Sequence, residues 1–282
     1  MATEFKTTAR RGFTLVELLI GIILVGIVGA ALTRTLMNMQ RGSRAQTARV
    51  ALQGNVRAGI TLLPSELREV SVEDIVAFGA DNITYRASRT ASVACLVTPV
   101  AVVLRADLTY GYRGIEAGRD ELLIFFDNDE EMSSDDSWGR YAIRAVANGV
   151  CPDGAAGTVL TLPGPGILPD SVLMVSGEPP VRTVETMEFR HYESGGKYWL
   201  GAHSVSGGGG IEPVLGPLTA DGLLLEYRDR ADAQTAVVAN MRSILVTIKG
   251  ETDNRISTSY DVSRYVEEQL TARVRLRNAP NF

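Results

Sequence analysis

The longest apolar segment of the chain lies near its beginning. Residues 13–32 contain a single charged residue, Glu17. At about 1.5 Å per residue, a helix of this length spans about 30 Å, the thickness of a bilayer core. Further along, apolar residues recur every three or four positions, which is typical of one helix face. These residues are Leu52, Val56, Ile60, Leu63, Leu67 and Val70. Since no proline separates Phe13 from Pro64, the pattern predicts one long helix, with a kink or a new helix start at Pro64.

After about residue 75 the pattern changes to short runs rich in β-branched and aromatic residues, separated by Gly, Pro, Asp or Asn, as in antiparallel sheets. The predicted strands are 83–87, 96–106, 121–127, 140–146, 158–162, 184–192, 197–203, 223–229 and 243–250. Two turn-rich segments, 149–157 and 162–170, and a glycine-rich loop at 206–210 interrupt them. The sequence therefore predicts an α+β fold, in which a long, partly transmembrane N-terminal helix is followed by an antiparallel β-rich head of one or two sheets.

Charge is distributed unevenly along the chain, whose formal net charge is −5. Residues 33–70 carry six arginines and two glutamates, whereas residues 71–282 carry 19 basic and 29 acidic side chains. This asymmetry is compatible with charge pairing between neighbouring subunits, although a solvated helix face is the favoured interpretation. The acidic balance of the chain gives no indication of nucleic-acid contact.

Three interpretations of the N-terminus compete. Lys6, Arg10 and Arg11 precede the apolar segment and favour a cytoplasmic N-terminus. The segment could be a secretory signal cleaved near the small residues 29–31, or a twin-arginine export signal. In the third interpretation, residues 11–21 form one unit. A charge at the centre of a membrane helix costs about 2.5–3.5 kcal/mol, and an ordinary export signal has no reason to carry Glu17. The helical pattern also continues beyond residue 31, which favours the third interpretation.

The string from Gly12 to Ile20, GFTLVELLI, resembles the class III signal of type IV prepilins and type II secretion pseudopilins. The resemblance implies that a prepilin peptidase cuts between Gly12 and Phe13, and that the amine of Phe13 is then N-methylated. It also implies that Glu17, the fifth of the remaining 270 residues, pairs with the Phe13 ammonium of a neighbouring subunit. A carboxylate buried in an apolar bundle needs such a partner. Alternatively, Glu17 extends to the membrane interface, about 6 Å from Phe13 along the axis.

The resemblance also implies a domain plan. Residues 1–12 form the leader, residues 13–34 the transmembrane and filament-core helix, residues 35–72 its periplasmic continuation, and residues 73–282 the head. The protein is expected to cross the inner membrane once, with its head periplasmic, before it enters a pilus or pseudopilus. The implied partners are other major and minor pilins or pseudopilins, the prepilin peptidase and the inner-membrane assembly platform.

Two later segments resemble particular subunits of this family. Residues 223–252 look like a late strand–loop–strand of larger minor pilins, and residues 271–281 look like the end of PilW-type minor pilins and of the type II secretion minor pseudopilin J. The expected function is that of a structural minor pilin. The alternatives are a minor pseudopilin J and, from another class, a membrane-anchored periplasmic binding or enzymatic module.

The head offers few candidates for chemistry. Cys95 and Cys151 could form a disulfide in an oxidising compartment, although sequence does not give their separation. Asp127, Asp129 and Glu131 lie in an acidic run that could bind calcium, but the run lacks EF-hand spacing, and a solvated loop is the favoured interpretation.

The two histidines, His191 and His203, do not occur at zinc-binding spacing, and no nucleophile or phosphate-binding motif is present. We therefore expect neither enzymatic activity, nor a cofactor, nor a metal beyond the calcium candidate. Several aromatic residues could form a binding surface, although packing within strands is the commoner role: Tyr110, Tyr112, Tyr141, Tyr192, Tyr198 and Trp199.

Overall fold

The computed structural model describes residues 12, 14–126, 137–164, 168, 178–259 and 262–277. Its first element is a helix of 54 residues, α1 (Leu15–Arg68). Thr14 caps this helix, because its side-chain oxygen accepts a hydrogen bond from the backbone N–H of Glu17 at 3.2 Å. A long helix that starts inside the apolar segment confirms the first part of the predicted fold.

The helix continues through Pro64, so no new helix starts at this residue. Proline removes one backbone hydrogen bond from a helix, which is why the sequence predicts a break there. Pro64 is buried, as are its neighbours Leu63 and Leu67, and this packing offsets the lost hydrogen bond. After α1 ends at Arg68, a single 3₁₀ turn (Val72–Asp74) leads into the sheet.

Fifteen strands follow in the described part of the chain, and most are joined in antiparallel pairs. They are β1 (Ile75–Phe78), β2 (Asn82–Thr98), β3 (Ala101–Arg105), β4 (Tyr110–Gly111), β5 (Asp120–Phe126), β6 (Ser137–Ala142), β7 (Ala145–Val150), β8 (Ala156–Thr161), β9 (Pro180–Ser194), β10 (Lys197–Ser204), β11 (Glu212–Arg228), β12 (Ser243–Glu251), β13 (Ile256–Ser259), β14 (Val262–Arg264) and β15 (Glu267–Arg275).

Thirteen of these strands form one sheet, whose main order is β15-β12-β11-β10-β9-β2-β3-β8-β7. Strands β1 and β4 pair with β2, β5 pairs with β9, and β6 pairs with β5. The separate hairpin β13–β14 is the second sheet. The α+β prediction, with a helix followed by an antiparallel β-rich head, is therefore confirmed.

Three predicted segments differ from the structure in detail. The single strand predicted at 96–106 is wrong, because β2 ends at Thr98 and β3 begins at Ala101, and the turn between them makes an antiparallel hairpin. The single strand predicted at 140–146 is wrong, because β6 ends at Ala142 and β7 begins at Ala145. Between them, Ile143 is buried and the backbone N–H of Arg144 donates to Thr161, so the chain turns from one partner strand to another. The segment at 149–157, predicted as turn-rich, contains the end of β7 and the beginning of β8 around one tight turn.

The helix packs on the sheet through the predicted apolar face. Leu52, Val56, Leu63 and Leu67 are almost fully buried in a core shared with β10, β11, β12 and β15. Gly59 lies at the closest approach, where an added Cβ would be 2.7 Å from Ile248 Cδ1, so any side chain there would displace its neighbours. A second core cluster lies farther from the helix, between β3, β5 and β8.

The two cysteines are joined in this second half of the head. A disulfide links Cys95 on β2 to Cys151, directly after β7, with a Cα–Cα distance of 5.7 Å and 56 positions between them in sequence. The bond ties β7, the strand at one end of the main strand order, to the long strand β2. It therefore holds together strands that are neighbours only through β3 and β8.

A buried ionic cluster holds the segment between β3 and β5 against the sheet. The side chain of Glu185 on β9 is 1% exposed, and it accepts hydrogen bonds from Arg89 Nε at 2.6 Å, Arg113 Nη2 at 3.0 Å and Arg119 Nε at 2.5 Å. Ser204 Oγ also donates to it. Burial raises the pKa of Glu185, but the hydrogen bonds from Ser204 and the three guanidinium groups outweigh that effect and lower the pKa to about 2.

A second carboxylate completes this cluster. Asp120, whose side chain is 0% exposed, accepts a bond from Arg113 Nη2 at 2.6 Å and another from the backbone N–H of Glu116 at 2.8 Å. Arg113 therefore bridges two buried carboxylates. Since each buried charge has a partner of opposite sign, the cluster avoids the large cost of an isolated buried charge.

Replacing Leu63 by alanine is expected to lower the free energy of unfolding by about 2–5 kcal/mol, because it removes a fully buried side chain and leaves a cavity between α1 and the sheet. Leu62→Ala is the matched control, since Leu62 is 36% exposed, and its expected cost is below about 1 kcal/mol. Chemical denaturation of both variants in detergent, followed by tryptophan fluorescence, measures the difference. Equal losses would contradict the packing described for α1.

The Glu185 cluster predicts a specific acid sensitivity. Because the folded-state pKa of about 2 lies below the ordinary value of 4.5, ionised Glu185 stabilises the fold above about pH 4.5, and this contribution is lost as the pH falls towards 2. Glu185→Gln is therefore expected to be less stable than the wild type at pH 7, by about 3 kcal/mol, and to lose less further stability on acidification.

Urea denaturation at pH 7 and pH 3 measures both effects. Glu188→Gln is the control, because Glu188 lies on the same strand and has no ion-pair partner among the described residues. It should lose as much stability between the two pH values as the wild type. The same loss in Glu185→Gln would exclude Glu185 as the source of acid sensitivity.

Candidate functional site on the exposed N-terminal helix

The first two-thirds of α1 project away from the head. Burial against the sheet begins at Leu52, so residues 15–51 form an exposed helical stalk about 55 Å long. The most apolar 18-residue window of α1 has a mean hydropathy of 2.7, and none of it is buried within the chain. By length and composition, this is the one helix in the described part of the chain that could cross a membrane.

The apolar surface of the stalk surrounds the helix on all sides. Its large apolar side chains are between 51% and 80% exposed. Single exposed apolar residues are common on proteins, but a contiguous apolar surface of this size is unfavourable in water. A helix that is apolar on every face is normally covered by lipid or by other helices. The exposed residues are Leu15, Val16, Leu18, Leu19, Ile20, Ile22, Ile23, Leu24, Val25, Ile27, Val28 and Leu32.

Glu17 is the charged residue of this apolar surface. It lies in the first turn of α1, where the positive end of the helix dipole favours a carboxylate. Its backbone N–H donates a hydrogen bond to the side-chain oxygen of Thr14. Among the described residues no side chain pairs with its carboxylate. Gly12 is exposed, whereas Phe13 and most of the predicted leader lie outside the described residues. The pairing of Glu17 with a neighbouring Phe13 therefore stays a prediction.

Basic residues follow the apolar part of the stalk. Arg34, Arg41, Arg44 and Arg49 are all exposed, and none has an ion-pair partner in the part of the chain that the structure describes. The stalk thus has two zones, an apolar zone of membrane length and a positively charged zone nearer the head. Both zones lie on one continuous helix, whose last turns are fixed in the core of the head.

A small acidic groove lies at the far end of the same helix. It has a volume of about 190 Å³, and Glu66, Glu69, Ser88 and Tyr112 are among the residues that line it. Tyr112 is 79% exposed, so its ring is available to a ligand. Glu66 Oε2 accepts a hydrogen bond from Tyr85 at 3.3 Å. Burial and the negative charge of Glu66 raise the pKa of the Tyr85 hydroxyl, which keeps it protonated as the donor.

The other predicted residues do not form a common site. The calcium candidates Asp127, Asp129 and Glu131 lie outside the described residues, and the described residues contain no group of three side chains suited to a metal ion. His191 is bonded through Nε2 to the carbonyl of Thr219 at 2.9 Å. The Nδ1 atom of the second histidine, His203, is buried and has no hydrogen-bond partner in the described structure.

The aromatic residues also serve different roles. Tyr198 stacks on His191, and Tyr141 packs edge-on against Phe126. Tyr110 and Tyr112, in contrast, are strongly exposed on and beside β4. Tyr192 and Trp199, which are cross-strand partners on β9 and β10, are half-buried, so Tyr110 and Tyr112 are the strongly exposed members of the predicted set.

Sequence reasoning missed the acidic groove and the Glu185 cluster. The cluster joins residues from 89 to 204, and no local motif connects positions so far apart. The groove had a visible signal, because Glu66 and Glu69 are one helical turn apart in a segment otherwise rich in arginine. Its other wall, however, comes from β2 and the segment around β4, which only the fold brings to the helix.

Comparisons with known proteins concern the N-terminus of the chain. A family model described as a prokaryotic N-terminal methylation motif matches residues 7–33. Searches of the curated proteins and of the solved structures return no match. The matched residues include the start of α1, so the motif and the apolar helix together fit a membrane-anchored pilin. This chain therefore carries the N-terminal methylation motif that is typical of the type IV prepilin and pseudopilin family.

Proposed function

We propose that this protein is a structural minor pilin of a type IV pilus, with a structural rather than a catalytic role. The observation that carries the proposal is the methylation motif at 7–33, which leads without interruption into an exposed apolar helix joined rigidly to a β-rich head. Such a helix can be held first by lipid and then by other helices, because both environments cover the same apolar surface.

In this proposal the precursor crosses the inner membrane once, with its leader cytoplasmic and its head periplasmic. The prepilin peptidase removes residues 1–12, and the new N-terminus at Phe13 is methylated. The assembly platform then transfers the subunit from the membrane into a filament of major and minor pilins. Motility, adhesion or DNA uptake are the outputs that such a filament supports.

Glu17 has a defined task in this assembly. Within a bundle of apolar helices its carboxylate loses water, and the Phe13 ammonium of a neighbouring subunit restores a charge partner. Because the first turn of α1 holds Glu17 on a capped helix, the pair fixes the axial position of one subunit relative to the next.

A minor pseudopilin J of a type II secretion system is the second candidate. The segment at 271–281 resembles this subunit in sequence, and its first residues form the end of β15, a strand that packs directly against α1. The motif, the helix and this packing suit both candidates equally. Identification of the pilin-like proteins that co-purify with the chain, from sheared pili or from secretion complexes, separates the two. A head that acts alone on a ligand or substrate, with an interchangeable anchor, would instead favour the membrane-anchored module.

Processing is tested by mass spectrometry of the N-terminus of the native protein. We expect a chain that begins at Phe13 and carries one additional methyl group on its amine, since the resemblance of residues 12–20 to a prepilin signal implies cleavage after Gly12. Gly12→Leu, which alters the residue before the cleavage, is expected to leave the leader in place. A mature chain that begins near residue 32 would contradict the proposal, because the stalk would then be a disposable export signal.

Replacing Glu17 by alanine is expected to leave leader cleavage intact and to reduce incorporation into filaments at least ten-fold, because the Phe13 ammonium loses its partner. Glu17→Asp keeps the charge and should retain part of the incorporation. Immunoblots of sheared filaments and of membranes measure the two pools. Normal incorporation of Glu17→Ala would reject the pairing role.

A further inference from the structure

Strand β7 (Ala145–Val150) is an open edge of the large sheet. It stands at one end of the main strand order, and among the described strands it pairs with β8 alone. An unpaired edge exposes a row of backbone N–H and C=O groups, to which a strand of another chain can add. Ala147, Asn148 and Val150 are all exposed, Val150 at 63%, so the edge is accessible.

The hydrogen-bonding pattern shows which backbone groups of β7 face outward. Directly after the strand, the N–H of Cys151 donates to the carbonyl of Ala155 at 2.8 Å. In an antiparallel pair, residues bonded to the partner alternate with residues whose backbone groups point away from it. The register of β7 on β8 has no bulge, so Val146, Asn148 and Val150 direct their backbone groups outward. In the described structure these groups have no hydrogen-bond partner.

This edge lacks the features that usually protect a sheet from pairing with another chain. Such features are charged side chains, proline and bulges. At the other end of the strand order, β15 carries four charged residues among nine. They are Glu267, Glu268, Arg273 and Arg275. The six residues of β7, in contrast, include no charge and no proline. Of these two ends of the sheet, β7 is therefore the one suited to accept a further strand.

The edge is also held in place before any partner arrives. Cys151, directly after β7, is bonded to Cys95 on β2, and a tight turn through Gly154 at φ 88° connects β7 to β8. Fixing a segment in its bound conformation lowers the entropic cost of binding. A partner strand therefore meets an ordered template.

The sequence of β7 is complementary to itself in one antiparallel register. When two copies are centred on Asn148, Val146 of each copy lies opposite Val150 of the other, and the two Asn148 residues face each other. All three outward-facing positions are then paired, with two backbone hydrogen bonds in each pair. Any shift of the register leaves at least one of the three positions unpaired. The centred register also places side chains of matching chemistry across from each other.

Charges beside β7 favour the same antiparallel arrangement. Arg144 precedes the strand, is exposed and has no ion-pair partner in the part of the chain that the structure describes. Asp153 follows the strand and is 51% exposed, although it already binds Arg105. Antiparallel pairing brings the beginning of one strand beside the end of the other, so unlike charges come together. Parallel pairing would bring like charges together, which disfavours it.

We propose that a second copy of this chain docks on this edge by adding its own β7 in the antiparallel register centred on Asn148, so that one sheet continues through two heads. The helix α1 packs on β11, β12 and β15, towards the other end of the strand order, and takes no part. The inference therefore goes beyond the proposed function and does not depend on it. Because six residues from each copy make a small contact, the pair forms reversibly.

Cross-linking through one engineered cysteine per chain tests this contact. The native Cys95 and Cys151 are bonded to each other, so the added cysteine is the reactive one. In the centred register, Ala147 lies diagonally across from Ala147 of the second copy, at about 7–8 Å. The full chain carrying Ala147→Cys, purified in detergent and treated with a short bis-maleimide, is expected to give a covalent dimer.

Ala156→Cys is the matched control. Ala156 is also an exposed alanine, on β8 of the same hairpin, and any association through the stalks affects both variants alike. Its counterpart in the second copy lies three strands away, at least about 14 Å, so the dimer yield should be about five-fold lower. Labelling with a monofunctional maleimide shows whether the two thiols react equally. Equal dimer yields from equally reactive thiols would overturn the proposal.

Charges introduced at Asn148 test the register. In the Ala147→Cys chain, Asn148→Lys places two lysines directly opposite each other and is expected to reduce the dimer about three- to five-fold, and Asn148→Glu to do the same. A mixture of the two chains should restore the dimer, with one copy of each. Asn148 is exposed, so neither change disturbs the core.

Two results of the charge experiment would reject the register: a dimer that is indifferent to these charges, or a mixture that fails to restore it. The same cross-linker applied to cells that produce the Ala147→Cys chain identifies the occupant. We expect a product that contains two copies of this chain. A product in which a different protein replaces the second copy would show that the edge serves another partner and would refute self-pairing.

Discussion

The fixed packing of the last turns of α1 on the sheet is the interaction on which the rest of the structure depends. Leu52, Val56, Leu63 and Leu67 bury one helix face against β11, β12 and β15, and Gly59 allows the backbone to come close. Apolar burial of this kind is the main source of stability in a core. Because it holds the end of a continuous helix, it also sets the direction of the whole stalk relative to the head.

Because of this packing, the two ends of α1 are suited to different environments although they belong to one continuous helix. One end of α1 is apolar on every face and suits lipid or a helix bundle, whereas the other end belongs to the core of a folded head. The charged zone between them carries Arg34, Arg41, Arg44 and Arg49, and the head has an excess of acidic residues. A subunit built in this way is anchored, oriented and given a charge pattern by the same helix.

Besides its apolar core, the head is stabilised by a disulfide and a buried ionic cluster. The Cys95–Cys151 disulfide ties β2 to the end of β7, and Glu185 gathers three arginines that hold the segment around β4. The disulfide and the ionic cluster each attach a segment outside the strands to the sheet. None of their residues belongs to the stalk, so both act within the head.

The sequence by itself determined the membrane-length helix, its continuation to the head, most strands and the residues expected at the processing site, because each depends on local spacing or on a contiguous motif. Only the tertiary structure decided the passage of α1 through Pro64, the break at Ile143, the pairing of the cysteines and the gathering of arginines around Glu185. Those features result from contacts between distant positions, where burial and pairing override local preference.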